Sequence, residues 1–347
     1  MRAFRVTGPH RTEIANVPEP EPRPGEVLVR VGAAGACHSD LHMIDGPPGS
    51  YPTPLTLGHE NAGWIEALGP GVTGWEKGEA VAIYGIIGCG RCPACLQGRE
   101  NECRVIPPGG GIGLTRDGGM ADYVTVPASR LVMIGDLDVV QAAPLTDAGL
   151  TPYHAIQLCR DVLVPGATCV VIGVGGLGHM AVQMLAATTA VRIVAVDEKP
   201  EALKLATQMG AHEAIQADEH TERNIRSLVR PQPGGVDVVI DFVGADSTLS
   251  TGASVISIGG RFVLVGLAGG KLRVAPGVGE TGIPFETRLV IPFWGTKAEL
   301  AEVIALARSG RISPHVERFP LGNAQAAYDK LRAGQLSGRA VMLPTAA

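Results

Sequence analysis

Two groups of residues in this 347-residue chain have the types and spacing of metal ligands. The first is Cys89-Gly90-Arg91-Cys92-Pro93-Ala94-Cys95, followed by Cys103 after seven intervening residues. Two-residue spacers let thiolates from one short loop converge on a single tetrahedral ion, and the fourth closes the site from the next segment. The pattern predicts a structural zinc site. An iron–sulfur cluster uses similar ligands, but a closed four-thiolate lobe with no electron-transfer context favours zinc. The second group is Cys37-His38-Ser39-Asp40-Leu41-His42, with Gly58-His59-Glu60 about twenty residues further on. Cysteine and histidine are good zinc ligands, and a catalytic site takes three protein ligands so that one position stays open. Spacing does not supply the third. Cys159 and Cys169 lie in apolar runs and read as core, whereas Asp147, in Pro144-Leu145-Thr146-Asp147-Ala148-Gly149, stands where two domains would meet and form a cleft.

A third pattern is built for phosphate. Gly173-Val174-Gly175-Gly176-Leu177-Gly178 closes a β-type run, Ala167 to Ile172, and opens a helical one in which Leu177, Met180, Ala181, Met184 and Leu185 share a face. An acid, Asp197, ends the next strand nineteen residues after Gly178. A lone match to this glycine spacing is weak in a chain with 47 glycines, but strand, helix and acid together are the context a dinucleotide fingerprint requires. Gly173 permits the tight turn, Gly175 lets backbone approach a pyrophosphate, and Gly178 lets helix and strand pack closely. The free N–H groups of the helix start then face the phosphates. Asp197 is expected to accept from the adenosine ribose hydroxyls and to repel a 2′-phosphate, so NAD is preferred to NADP.

The elements that must position these groups fall into two kinds. From Val27 to about Val132, short apolar runs alternate with turn signals such as Gly69-Pro70-Gly71, which suggests a β-barrel-like domain. From about Ala148, strand and helix patterns alternate, the mark of a parallel sheet covered on both faces. Val191 to Val196, Val236 to Ile240 and Arg261 to Val265 read as its further strands, and Glu201 to Met209 as a helix bracketed by Pro200 and Gly210. Thr296 and Glu299 form a capping box before Leu300, Val303, Ile304 and Ala307, and Gly310 ends that helix.

Composition narrows the function classes. With 45% hydrophobic and 18% charged residues the chain is not disordered, and 4% aromatics leave few rings for stacking nucleic-acid bases. A net charge of −5 argues against nucleic-acid or anionic-membrane partners. Val162 to Val191 carries no charged residue and has the length of a membrane span, but Pro165 and five glycines break it into strand, turn and helix. Seven cysteines, an odd number, and a charged amino terminus without an apolar core predict a cytoplasmic protein without a disulfide framework.

Taken in order along the chain, these motifs resemble those of zinc-dependent alcohol dehydrogenases of the medium-chain dehydrogenase/reductase family, over essentially the full length. The similarity is greatest to bacterial members acting on secondary alcohols, in which an aspartate is the third catalytic zinc ligand. The resemblance implies an α/β protein: a GroES-like β-barrel catalytic domain over residues 1–147 with the zinc lobe at about 88–104, a doubly wound Rossmann domain over 148–290, and a return to the catalytic domain over 291–347. It implies two zinc ions per chain, one on Cys37, His59 and Asp147 and one on Cys89, Cys92, Cys95 and Cys103. Glu60 would stand behind the catalytic zinc as an alternate ligand, and Asp40 would orient the His59 ring. Ser39 and His42 would relay the proton, with the cofactor ribose between them. His38 stands where some members place an arginine on the pyrophosphate, and Arg339, after Gly338, would supply a phosphate contact. NAD would bind on Gly173, Gly175, Gly176, Leu177, Gly178 and Asp197.

Met43, Tyr51, Leu114 and Trp294 are candidates for an apolar substrate pocket. The expected activity is interconversion of secondary or aryl-substituted alcohols with ketones or aldehydes by hydride transfer to and from NAD. A polyol, amino-alcohol or formaldehyde dehydrogenase is the alternative, and a nucleotide-binding protein without chemistry is a third. The relatives imply a homo-oligomer, a tetramer rather than a dimer.

Overall fold

The structure is a computed structural model that describes residues 1–106, 110–229, 235–275 and 283–344. The chain divides into two compact units, one formed by Met1–Leu150 with Gly295–Ala347 and the other by Thr151–Trp294.

The first unit is built on two sheets. Among the described residues its larger sheet has seven strands, ordered Val316–Pro320, Arg339–Leu343, Glu26–Gly35, Glu60–Leu68, Ala80–Ile83 and Leu131–Met133, with Tyr123–Pro127 also paired to Glu26–Gly35. Glu26–Gly35 is the central strand and is buried almost continuously, as its run of valine, leucine, alanine and glycine allows. Its end pairs Gly35 with Glu60 on one side and with Val341 on the other. Glu26–Gly35 therefore lies between Arg339–Leu343 and the strand that follows His59. Arg2–Gly8, Arg11–Asn16 and Leu55–Thr56 form the smaller sheet. Phe4, Val29, Ile65, Ile83, Met120 and Tyr328 fill the core between them, and the helix Ala324–Arg332 packs on it through Ala324, Ala327, Tyr328 and Leu331.

The second unit is a parallel sheet of six described strands, ordered Glu213–Gln216, Arg192–Asp197, Thr168–Ile172, Val236–Asp241, Ile256–Leu264 and Arg288–Val290. Counted by their own sequence, the strands run 3-2-1-4-5-6. The order reverses between Thr168–Ile172 and Val236–Asp241, and in such sheets ligands bind beyond the strand ends at the reversal. Four of these strands overlap the predicted runs, shifted by a residue or two except that Ile256–Leu264 begins five residues earlier. The uncharged stretch from Val162 resolves into the strand Thr168–Ile172, the glycine turn and the helix Gly178–Thr188. Among the described residues no helix is long and apolar enough to cross a membrane. The helix Lys297–Arg308, in the first unit, starts on the expected box: the Thr296 hydroxyl accepts from Glu299 N at 3.2 Å, and the Glu299 carboxylate accepts from Thr296 N at 2.7 Å.

Candidate active site and metal centres

Cys37 caps the helix His38–Asp45, and Asp40, in its first turn, accepts from Cys37 N at 2.9 Å. His59 precedes the strand Glu60–Leu68. Asp147 lies in a wide π turn, Leu145–Gly149, an element uncommon enough to be associated with functional sites. Folding brings the three together. The Cys37 thiol and His59 Nε2 each lie 3.6 Å from Asp147 Oδ2, and one ligand atom from each residue fits within 4.8 Å of the others. Zinc bonds of about 2.0–2.3 Å place tetrahedral ligands about 3.3–3.8 Å apart, so this spacing fits a shared ion. Chemistry agrees: a thiol, an imidazole and a carboxylate, all buried, are a donor set that a divalent cation would hold together. Burial disfavours a charged His59, but the Asp40 charge and bonds to Asp147, Asp40 and Cys37 outweigh it and raise its pKa well above the ordinary value.

Around these residues lies a second layer of fixed groups. Asp40 Oδ1 stands 3.1 Å from His59 Nδ1, and Asp40 Oδ2 accepts from the Tyr328 hydroxyl at 2.8 Å. Glu60 is fully buried; it accepts from Ala148 N at 2.9 Å and from Arg339 Nε at 2.9 Å, with a second, shorter bond from Arg339 Nη2. Desolvation pushes the Glu60 carboxyl up to about 7, against the pull of Arg339. A Cβ on Gly35 would fall 1.9 Å from Glu60 Oε2, so glycine at the strand end is what makes room for this carboxylate.

Arg339 is 3% exposed, and its guanidinium is turned inward onto Glu60, with Asp147 Oδ2 3.4 Å away. Met43 is 4% exposed and packs in the first unit's core with Leu41 and Ile44. Tyr51 and Leu114 are half-buried against the same core. Trp294 is buried in the second unit, edge-on to Phe293 with ring centroids 6.1 Å apart. Ser39 Oγ lies 3.6 Å from the Cys37 sulfur and is half-buried, while His38 and His42 are exposed on their helix.

The four cysteines of the lobe also converge. Cys89 and Cys95 sulfurs are 4.0 Å apart, as are those of Cys92 and Cys103, close to the roughly 3.8 Å edge of a four-thiolate zinc tetrahedron. Backbone N–H groups of Ile106, Cys89 and Val105 lower the Cys103 thiol to about 6, whereas burial raises Cys95 to about 12. None of the seven cysteines is in a disulfide.

In the second unit the glycine turn sits at the reversal of strand order. A Cβ on Gly178 would meet the Gly173 carbonyl oxygen at 1.8 Å, whereas one on Gly175 would meet nothing within 4 Å, leaving that backbone open to a ligand. Asp197 Oδ2 accepts from Val174 N at 2.7 Å and Oδ1 from Lys199 N at 2.9 Å. Beside it opens a cavity of about 340 Å³, lined by Gly173, Asp197, Asp218, Val243, Ser247 and Thr251 among others. Its size suits part of a dinucleotide.

Sequence reasoning missed Tyr328, Gly35 and the cavity wall from Val243 to Thr251. Tyr328 lies on a helical apolar stripe with Ala324, Ala327 and Leu331, so periodicity marks it as core and carries no sign of its hydroxyl's partner.

A strand order of 3-2-1-4-5-6 with a glycine turn at its reversal, in a chain that also gathers two cysteine-containing clusters in a unit of mainly antiparallel sheet, defines a zinc-binding dehydrogenase. The comparisons agree. A family model described as the alcohol dehydrogenase GroES-like domain matches residues 23–136, and one described as zinc-binding dehydrogenase matches 176–309. An NAD-dependent alcohol dehydrogenase of Sulfurisphaera tokodaii is 36% identical over 99% of both chains. Among solved structures, an alcohol dehydrogenase of the hyperthermophilic archaeon Aeropyrum pernix superposes with a TM-score of 0.91 at 33% identity, covering 99% of this chain and 100% of that one. An acetophenone reductase from Geotrichum candidum, in complex with NAD, superposes with a TM-score of 0.83 at 31% identity, covering 99% and 96%. The chain belongs to the zinc-dependent alcohol dehydrogenase family of medium-chain dehydrogenases/reductases.

Proposed function

We propose that this protein is an NAD-dependent alcohol dehydrogenase that interconverts secondary or aryl-substituted alcohols with ketones. The observation that carries the reading is the buried convergence of Cys37, His59 and Asp147 in a chain whose other unit has the glycine turn and strand-end acid of a dinucleotide site. The catalytic zinc belongs on those three residues and a structural zinc on Cys89, Cys92, Cys95 and Cys103. When bound, zinc supplies Lewis acidity that lowers the pKa of an alcohol, and NAD supplies the hydride acceptor.

The remaining work falls to the chain. Asp40 holds the His59 ring so that Nε2 faces the cluster. Glu60 waits behind, tied to Arg339 and Ala148 N. Ser39, beside Cys37, would accept the alcohol proton as it gives its own to the cofactor ribose hydroxyl, and His42, exposed to solvent on the same helix, would be the exit. His38, at the start of that helix, would contact the pyrophosphate of the bound cofactor, where some members of the family place an arginine. Residues 1–147 with 291–347 form the catalytic domain and 148–290 the NAD domain. The Asp197 carboxylate, already accepting two backbone N–H groups, has lone pairs left for ribose hydroxyls and none of the positive charge a 2′-phosphate needs. Tyr51, Leu114 and Trp294 contribute apolar surface to substrate selection. The similarity to an acetophenone reductase supports an aryl-substituted substrate.

Exposed Ile258, Phe285, Leu289 and Ile291 on the second unit support assembly of several copies, a tetramer in our reading. Unpaired cysteines support a reducing, cytoplasmic location.

The test is NAD-linked oxidation across primary, secondary, aryl and polyol substrates, with and without a chelator, alongside metal analysis. Secondary or aryl alcohols should be turned over fastest, with two zinc ions per chain and loss of activity on chelation. One zinc per chain with no turnover would leave a nucleotide-binding protein without chemistry, and a preference for polyols would move the substrate class.

A further inference from the structure

We infer that Tyr328, from the helix Ala324–Arg332 near the carboxyl terminus, is a positioning residue for the catalytic metal: through Asp40 it sets the orientation of His59. The inference rests on the reading that Cys37, His59 and Asp147 hold zinc.

The argument starts from the four lone-pair directions of one carboxylate. Asp40 Oδ2 already receives Cys37 N at 2.9 Å and the Tyr328 hydroxyl at 2.8 Å. Oδ1 is thereby the oxygen left facing His59 Nδ1, 3.1 Å away. Nδ1 turned to Asp40 leaves Nε2 directed at the cluster, where it lies 3.6 Å from Asp147 Oδ2. The two donors on Oδ2 do different things. Cys37 N belongs to the helix start and comes with the Asp40 backbone, so it fixes the carboxylate only to its own turn. Tyr328 comes from 288 residues away and fixes the carboxylate to the rest of the unit.

Burial makes that second tie hard to replace. Asp40 and Tyr328 are 0% exposed and His59 2%, so solvent does not stand in for a lost hydroxyl. The ring is held independently of the hydroxyl: it stacks on Phe4 with centroids 5.6 Å apart and planes at 14°, and the oxygen also lies 3.1 Å from Met120 Sδ. A hydroxyl has one proton, and the carboxylate is the stronger acceptor of the two. Removing the oxygen alone therefore leaves the packing and releases one end of the Asp40 carboxylate.

The experiment measures zinc release from the full-length, zinc-loaded protein to a chromogenic chelator. Wild-type release should show a component that disappears in Cys37→Ser, and a second from the four-cysteine lobe. Tyr328→Phe should speed the Cys37-dependent component about 10-fold or more, the range seen when groups supporting a metal-bound histidine are removed. The lobe component and the thermal midpoint should change little, which separates this effect from general loosening. In an Asp40→Ala background the same substitution should add nothing, because its effect runs through Asp40. Unchanged release in Tyr328→Phe, or equal acceleration with and without Asp40, would overturn the assignment. Absence of any Cys37-dependent zinc in the wild type would instead remove the metal reading on which it rests.

Discussion

Arg339 and Glu60 form an ion pair that is buried at both ends, and the consequence of breaking it follows from desolvation. Neither group reaches water, so each is tolerated because of the other. Arg339→Met would leave a carboxylate that can neither ionise cheaply nor move, since Gly35 and the π turn enclose it. The expected cost is about 3–5 kcal/mol in a urea titration, the range for removing one partner of a buried pair. Arg339→Lys should recover only part of it, because an ammonium does not reproduce two parallel guanidinium bonds. If Arg339→Met unfolds at the wild-type denaturant concentration, the pair contributes no net stability. At this scale the sequence speaks through types and short spacings. It marks Cys37, His59 and Glu60 by motif, but Arg339 lies 279 residues from Glu60, and its partner is invisible until strands are paired.

The glycine turn is an element-scale device, a strand end, a tight bend and a helix start that must touch. Gly178 is the tightest point of that contact, with 1.8 Å between a built Cβ and the Gly173 carbonyl oxygen. Gly178→Ala would push the helix Gly178–Thr188 off the strand Thr168–Ile172 and move the turn's free N–H groups with it. NAD affinity should fall at least 10-fold by calorimetric titration, while the zinc content of the first unit stays at the wild-type value. Wild-type affinity in that variant would show that the helix shifts without cost. Asp197 is part of the same device, since its bond to Val174 N ties the second strand's end to the turn. The turn and its acid are legible in sequence because they lie within one strand–helix–strand unit, where local geometry follows from local residues.

For the molecule as a whole, acid is a direct probe, because charged pairs in both units hold carboxyls below their usual range. The Arg261 guanidinium does so for Asp161; in the first unit, burial opposes the shift of Asp122, but bonds from the side chain and backbone of Arg2 overcome it. A carboxyl whose folded pKa is depressed contributes stability above its unfolded pKa, about 3.9 for aspartate, and loses it as pH falls through the folded value. Urea midpoints should therefore drop steeply below about pH 4, and Asp161→Asn should flatten part of that fall. An unchanged slope in Asp161→Asn would mean that other carboxyls carry the acid response.

What the sequence determined by itself were the features closed over short stretches: the four-cysteine loop, the glycine turn with Asp197, the helix cap at Thr296, and the alternation of strands and helices from about Ala148. Each depends on backbone geometry within a few tens of residues, and residue type reports that geometry directly. Tertiary structure alone decided that Cys37, His59 and Asp147 converge, that Arg339 turns inward to Glu60, that Met43 is core, and that Tyr328 reaches Asp40. These depend on which strands become neighbours and on which polar groups are sealed from water together. In that enclosure an unpaired charge costs more than any local preference of its own segment.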